Sequence, residues 1–380
     1  MKKTLNNILI FFRCFGKFLI HGRADTIGII KNIAVVQLAQ LGDIVCTTPM
    51  FRAVKNKYPD SRITVVGSAI NKEVLAHNKD VNHYIQFNGD IESAAAMIRG
   101  TSIDVGFITT PSFAAIGMLI LGGAKTIVAP IVVEGYCPQQ TILYRLLSLA
   151  VRRIPYRYGQ YVPGLYLKLL EPAEVYSNDV SKHLGFSEEG KKHVDEFLDN
   201  VGINKNDFLI GISPSTGNKI KNWGSKKFAK LAELLIRQEK VKIIILGGAR
   251  DREEVQAMTL SIENHDRIIS GLEKFNIDSL KAIISRLNML IAVDTGLIYI
   301  AEAFEVPTVD IVGAVDDREQ PPKGSKHRIV MSPTRGPAAI HILNARHYDL
   351  QEARRQIDSI SVDMVAKETI DLIANIKNNS

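Results

Sequence analysis

Short apolar runs rich in β-branched residues alternate with segments of helical spacing along most of this chain. Ile33–Leu38, Arg62–Gly67, His83–Phe87, Val105–Ile108 and Thr126–Ala129 predict strands, and Pro49–Lys57, Asn71–Asn78, Ile91–Arg99 and Phe113–Leu121 predict the helices between them. The rhythm resumes with strands at Phe208–Ser213, Val241–Leu246, Arg267–Ser270, Met289–Val293 and Thr308–Val312. Helices at Lys226–Gln238, Arg252–Ile262, Ile277–Arg286 and Leu297–Phe304 separate them. Such alternation belongs to a parallel sheet covered on both faces, so the chain is expected to be an α/β protein with two doubly wound domains facing each other across a cleft.

The stretch from about Glu134 to Lys205 breaks the pattern. It is aromatic, proline-punctuated and basic around Tyr144–Tyr158, then charged and helical around Glu188–Val201. The expected layout is a basic amphipathic segment over 1–31, a first domain over 32–185, a connection over 186–205 and a second domain over 206–345. Helices over 346–380 are expected to pack back on the first domain.

With 380 residues, 46% apolar and 23% charged, the chain has enough core for two domains. Cys14, Cys46 and Cys137 have neither metal-ligand nor redox spacing, which fits a reducing cytoplasm and implies no metal centre. The net charge of +7 is concentrated at the start, where Lys2, Lys3, Arg13, Lys17, Arg23 and Lys31 face only Asp25. No nucleic-acid motif accompanies this charge, and no nucleic-acid partner is expected. Leu5, Ile8, Leu9, Phe12, Phe15 and Leu19 recur at helical spacing, but the longest apolar run, Ile8–Phe12, is far too short to span a bilayer. Two readings stand: residues 1–31 lie on the cytoplasmic face of the inner membrane, or this helix packs on the protein or another subunit.

Ligands of open α/β sheets bind beyond the carboxyl ends of the strands, and four loops there carry candidate chemistry. In the first, Leu41-Gly42-Asp43, Thr48 and Pro49 are expected to cap and start the helix, leaving Asp43 in a glycine-containing loop where its carboxylate can take a proton from a hydroxyl. A plain loop or capping role for Asp43 is the alternative. The second, Ser213–Trp223, offers Ser215 or Thr216 to hold a diphosphate and Lys221 to neutralise it, with the plainer reading an exposed loop anchored by Trp223. In the third, Gly247-Gly248 lets the backbone approach a ligand, and Asp251 or Glu253 can accept ribose hydroxyls. The fourth, Asp294-Thr295-Gly296-Leu297, joins a strand to a helix. It presents amides, a hydroxyl and a positive helix end to an anion, or else is simply a helix N-cap.

This order of motifs resembles the ADP-heptose:lipopolysaccharide heptosyltransferases, glycosyltransferase family nine. The resemblance covers about residues 33–345 and rests on Leu41-Gly42-Asp43 with Thr47-Thr48-Pro49, Lys221-Asn222-Trp223 with Phe228, and Leu246-Gly247-Gly248 with Asp251. Asp294-Thr295-Gly296-Leu297 and Pro307-Thr308 before Val312-Gly313 complete it. It implies two facing Rossmann-like domains of GT-B type, the first for the acceptor and the second for the nucleotide sugar. It also implies metal-independent, cofactor-free transfer of a heptose, with inversion, from a nucleoside-diphosphate sugar (ADP-heptose) to a lipopolysaccharide core or related glycan. Asp43 would be the general base; Thr216, Lys221 and the Thr295 and Gly296 amides would stabilise the leaving diphosphate. Two positions depart from the family pattern: Tyr299 stands where many members have histidine, and Gly224 where proline is usual. A phenol carries no positive charge at neutral pH, so the donor pocket is expected to differ there. Arg145, Arg152, Arg153 and Arg157 form a basic cluster suited to acidic groups of an acceptor, or a solvated or membrane-facing patch. A nucleotide-sugar epimerase and a non-catalytic sugar-nucleotide-binding protein are the competing readings.

Overall fold

A computed structural model describes residues 2–21, 30–204, 206–238, 240–263, 266–337, 340–344 and 348–378. Residues 22–29, with Arg23 and Asp25, and the expected boundary at 345/346 lie outside the described residues, as do the side chains of Lys2 and Lys3. The chain divides into two units, Met1–Lys182 with Ile342–Asn344, and His183–His341 with Ala345–Ser380.

The first unit runs α1 (Lys2–His21), β1 (Asn32–Gln37), α2 (Leu41–Lys57), β2 (Arg62–Gly67), α3 (Ala69–Leu75), β3 (His83–Gln86) and α4 (Ile91–Arg99). It continues with β4 (Val105–Ile108), α5 (Phe113–Gly122), β5 (Thr126–Val132), α6 (Ile142–Ser148), β6 (Arg152–Tyr156) and α7 (Val162–Lys168). Its six strands are all parallel, in the order β3-β2-β1-β4-β5-β6. The second unit runs α8 (Glu188–Asn200), β7 (Phe208–Ser213), α9 (Ser225–Leu235), β8 (Val241–Gly247), α10 (Arg252–Leu260), β9 (Ile268–Leu272) and α11 (Ile277–Ser285). Then come β10 (Met289–Val293), α12 (Gly296–Ala303), β11 (Thr308–Val312), β12 (His327–Met331), α13 (Leu350–Ser359) and α14 (Val362–Asn378). Its sheet, also parallel, has the order β12-β11-β10-β7-β8-β9, the same winding as the first. Each sheet therefore reverses its strand order once, between β1 and β4 and between β7 and β10, and a crevice opens at such a point.

The central strands are largely apolar because both faces are covered; Ala34, Val35 and Val36 of β1 and Leu290, Ile291 and Ala292 of β10 are all fully buried. Two strands escaped the sequence pattern, as did the helices α6 and α7. β6, inside the stretch expected to be loops, is an edge strand, the one place where Pro155 costs no ladder hydrogen bond. β12 is the other sheet's edge, and its alternation is too weak to show in sequence.

The expected connection and tail are corrected. α8 packs on α11 in the second unit, where Asp278 accepts hydrogen bonds from the Ser187 amide and hydroxyl. α13 and α14 also belong to the second unit rather than the first. The Trp223 indole donates to the Ile360 carbonyl at 2.8 Å, and Ile357, Val365, Leu372 and Ile373 join the core beneath α9. α1 docks on α5 with Ile10 and Cys14 fully buried, so this helix does pack on the protein through one of its faces.

Candidate active site

The helix start expected at Pro49 lies eight residues earlier. Gln40 and Asp43 form a capping box in which the Asp43 Oδ2 accepts the Gln40 amide at 3.0 Å, so α2 begins at Leu41. Thr48 is not the cap but an interior residue, and Pro49 sits inside the helix. A proline there deprives the carbonyl four residues back, Val45, of its usual donor. The Thr48 hydroxyl donates to that carbonyl at 2.7 Å and repairs the loss. Asp43 thus lies, partly exposed, in the first turn of a helix immediately after β1, at the point where the first sheet reverses, and not in a loop. The turn before it is held by Gln37, whose Oε1 accepts the Ala39 amide, and by Asn71, which donates to the Gln37 and Ala39 carbonyls.

In the second unit the structure brings the loops after β7, β8 and β10 together. Lys221 Nζ donates to the Asp294 main-chain oxygen at 2.7 Å and to its Oδ2 at 2.8 Å. Tyr299, on α12, is buried and donates its hydroxyl to Asp294 Oδ1 at 2.7 Å. Burial pushes the Asp294 carboxyl upward, but the Lys221 charge and the bonds from Lys221 and Tyr299 outweigh it and leave it below the ordinary carboxylate range. Tyr299 thus fixes the Asp294 carboxylate through its phenol, beside Lys221. Thr295 occupies the N-cap position of α12, as the plainer reading expects, and its hydroxyl makes no capping bond. Thr295, Gly296 and Leu297 remain partly exposed at a helix start, where amides lack intrahelical partners.

Ser215 donates to Asp251 Oδ1 at 2.5 Å, and the Gly248 amide donates to Asp251 Oδ2 at 2.9 Å, so Asp251 ties the second loop to the third. The Thr216 amide donates to Asn222 Oδ1, and Asn222 Nδ2 to Glu254. Glu253 is exposed on the first turn of α10. Trp223 is buried edge-on against Phe228 with ring centroids 4.9 Å apart, a packing anchor.

Sequence reasoning missed Asp310. It lies mid-strand in β11, in register with Ala292 of β10, and is fully buried with Oδ1 lacking a hydrogen-bond partner. Burial, then the Asp294 charge, pushes its carboxyl well above the ordinary value. A carboxylate within the apolar run Thr308–Val312 was the available signal. Asp316, Glu319 and His341 also gather, all within 4.8 Å. Arg318 engages both oxygens of Asp316, and His341 contacts Glu319 at 3.2 Å, which makes the group a hydrogen-bonded network that already holds the Arg318 cation. The four arginines of the expected basic cluster stand on three segments of the chain. Arg145 lies on α6, Arg152 and Arg153 alternate across β6, and Arg157 pairs with Glu134.

Two Rossmann-like units with an ammonium and a free helix start at the second switch point are the setting for these comparisons. Residues 147–343 match the family described as Glycosyltransferase family 9 (heptosyltransferase). The chain belongs to this family. As a family 9 glycosyltransferase, it is 23% identical over 288 residues to lipopolysaccharide heptosyltransferase 3 of Escherichia coli, covering 72% of this chain and 80% of that protein. A family 9 glycosyltransferase from Veillonella parvula has a TM-score of 0.73 at 21% identity, covering 91% of this chain and 97% of that one. The ADP-heptose lipopolysaccharide heptosyltransferase II of Escherichia coli has a TM-score of 0.72 at 18% identity, covering 91% and 99%. The fold of this glycosyltransferase is thus of the GT-B heptosyltransferase type.

Proposed function

We propose that this enzyme transfers a heptose from ADP-heptose to the inner core of lipopolysaccharide, with inversion at the anomeric carbon and without a metal ion or cofactor, at the cytoplasmic face of the inner membrane. The observation that carries the reading is the Lys221 ammonium held on Asp294 beside the exposed start of α12. An anion is favoured at such a place by amides, helix dipole and fixed positive charge. Lys221, the Thr295 and Gly296 amides and Thr216 take up the charge that develops on the departing diphosphate. Gly248 gives the nucleotide close approach to the backbone. Asp251, bound by Ser215 and Gly248, shapes that loop, and Glu253 is its exposed acceptor for ribose hydroxyls. On the first unit, Gly42 leaves room beside Asp43. The Asp43 carboxylate takes the proton of the acceptor hydroxyl as that oxygen bonds to the anomeric carbon and the carbon–diphosphate bond breaks. Charge neutralisation at the leaving group comes from the protein in this scheme, and the relatives' names supply the donor and acceptor classes.

Thermal stabilisation across ADP, UDP, GDP and CMP tests the donor, because a ligand that binds only the folded state raises its stability. ADP alone is expected to shift the transition, with the shift lost in Lys221→Ala. Selectivity for another nucleotide overturns the donor. Asp43→Ala is expected to keep the ADP shift and lose transfer by roughly 10²–10⁴-fold, the range for a general base; transfer at the wild-type rate would remove Asp43 from the mechanism.

A further inference from the structure

Lys221 ends a flexible four-carbon stem, so the direction of its ammonium is set by what it donates to. Both acceptors belong to Asp294, the main-chain oxygen at 2.7 Å and Oδ2 at 2.8 Å. The main chain there is tied to the sheet, since the Asp294 amide donates to the Ile311 carbonyl of β11 at 3.3 Å. The carboxylate has no such tie. The last torsion of an aspartate is broad, and a carboxylate gripped at one oxygen can swing. Tyr299 removes that freedom: its hydroxyl donates to Oδ1 at 2.7 Å, so phenol and ammonium take the two oxygens of one carboxylate. Tyr299 is buried in the first turn of α12, which begins at Gly296. The helix whose start faces an anion thus also carries the group that steadies the cation beside it.

A second carboxyl gives the phenol a further role. Asp310 pairs with Ala292 in the parallel β10–β11 register, and Asp294, two residues beyond Ala292, falls on the same side of the sheet. Asp310 Oδ1 has no hydrogen-bond partner, whereas both oxygens of Asp294 have one. Hydrogen bonds to the charged form of a carboxyl favour that form, so the negative charge is kept on Asp294, against Lys221. A neutral phenol supplies this donor without setting a second cation beside the ammonium. We propose that Tyr299 is a positioning residue for glycosyl transfer: by holding Oδ1 of Asp294 it fixes the carboxylate that aims the Lys221 ammonium at the departing diphosphate. The proposal rests on the leaving-group role given to Lys221 above, and it has the phenol act through Asp294 rather than by contact with the donor.

Tyr299→Phe keeps the ring and removes the hydroxyl. The aimed charge is used as the leaving group departs, so the loss is expected in kcat, by roughly tenfold, with the KM for the donor within about twofold of wild type. Asp294→Asn is expected to lose kcat at least as far. Tyr299→Phe added to Asp294→Asn is expected to lose nothing more, because the phenol acts through that carboxylate. Each variant is assayed well below its unfolding transition. A second readout needs no turnover: acetylation of Lys221 by acetic anhydride, followed by mass spectrometry of its peptide, is expected to be faster in Tyr299→Phe and in Asp294→Asn than in wild type. An unchanged labelling rate in Tyr299→Phe overturns the proposal. So does a wild-type kcat in that variant, a loss confined to KM, or additive losses in the double variant. Absence of an ADP shift in the wild type overturns the donor reading instead, and the labelling rates then still decide whether Tyr299 holds Lys221 in place.

Discussion

Lys221 reaches from the loop after β7 to Asp294 at the end of β10, and its ammonium holds both the main-chain oxygen and the carboxylate of that residue. The contact joins the two loops that flank the second sheet's switch point. Little of either side chain meets solvent, 18% of Lys221 and 12% of Asp294. Breaking a pair so placed leaves a buried charge without compensation.

Lys221→Met is accordingly expected to destabilise the second unit by about 3 kcal/mol, and adding Asp294→Asn to recover most of that loss. Trp223, the chain's single tryptophan, lies in the same unit, so its fluorescence during urea unfolding reports the transition. Additive losses in the double variant would show that the pair is not the source of the effect.

Asp310 makes stability depend on pH. Its folded-state pKa is raised, so the native protein retains a proton that the unfolded chain releases above about 3.9. Its contribution to stability therefore falls as pH rises from that value and levels off only once pH reaches the raised pKa. Asp310→Asn keeps the shape and removes the proton, so the variant is expected to gain on wild type as pH rises above about 4. A gap that stays constant over that range, followed by Trp223 fluorescence, would mean that Asp310 ionises normally in the folded state.

Thr48 and Pro49 act as a unit in α2. Thr48→Val is expected to cost about 1–2 kcal/mol because it leaves the Val45 carbonyl without a donor. In a Pro49→Ala background the backbone amide returns and the same substitution should cost much less. Calorimetric unfolding of the four variants gives the coupling, and a coupling of zero would refute the repair.

Cys14 reports on the docking of α1. Burial pushes its thiol up to about 12, and its Sγ lies 3.8 Å from the Gly117 carbonyl. Since the thiolate is the reactive form, alkylation at neutral pH should be very slow in the folded protein. Ile10→Asp places a charge in the sealed α1–α5 contact and is expected to release Cys14 to ordinary reactivity, read by mass spectrometry of its peptide. Continued protection in that variant would show that Ile10 does not hold the helix down.

The sequence by itself determined the two parallel α/β units, because strands buried on both faces must be apolar throughout and the helices between them must be amphipathic. Five of the strands match to the residue at both ends: Arg62–Gly67, Val105–Ile108, Phe208–Ser213, Met289–Val293 and Thr308–Val312. Lys221 and Asp294 were both legible as loop residues at strand ends. Their pairing was not, since nothing local links positions 73 residues apart; the strand order that makes β7 and β10 neighbours decided it. The same holds for Tyr299, whose phenol could be read only as a missing imidazole until the fold aimed it at Asp294. The Asp310 carboxyl was pushed upward only when β11 placed it beside that charge in the interior. Edge strands β6 and β12, half-exposed and weakly patterned, took shape from pairing with strands that the sequence did specify. The tail was misplaced because α13 and α14 have apolar faces that any sheet could accept. The chain directs them to the second unit through the Trp223 indole and the Ile360 carbonyl, a hydrogen bond between residues 137 positions apart that no periodicity encodes.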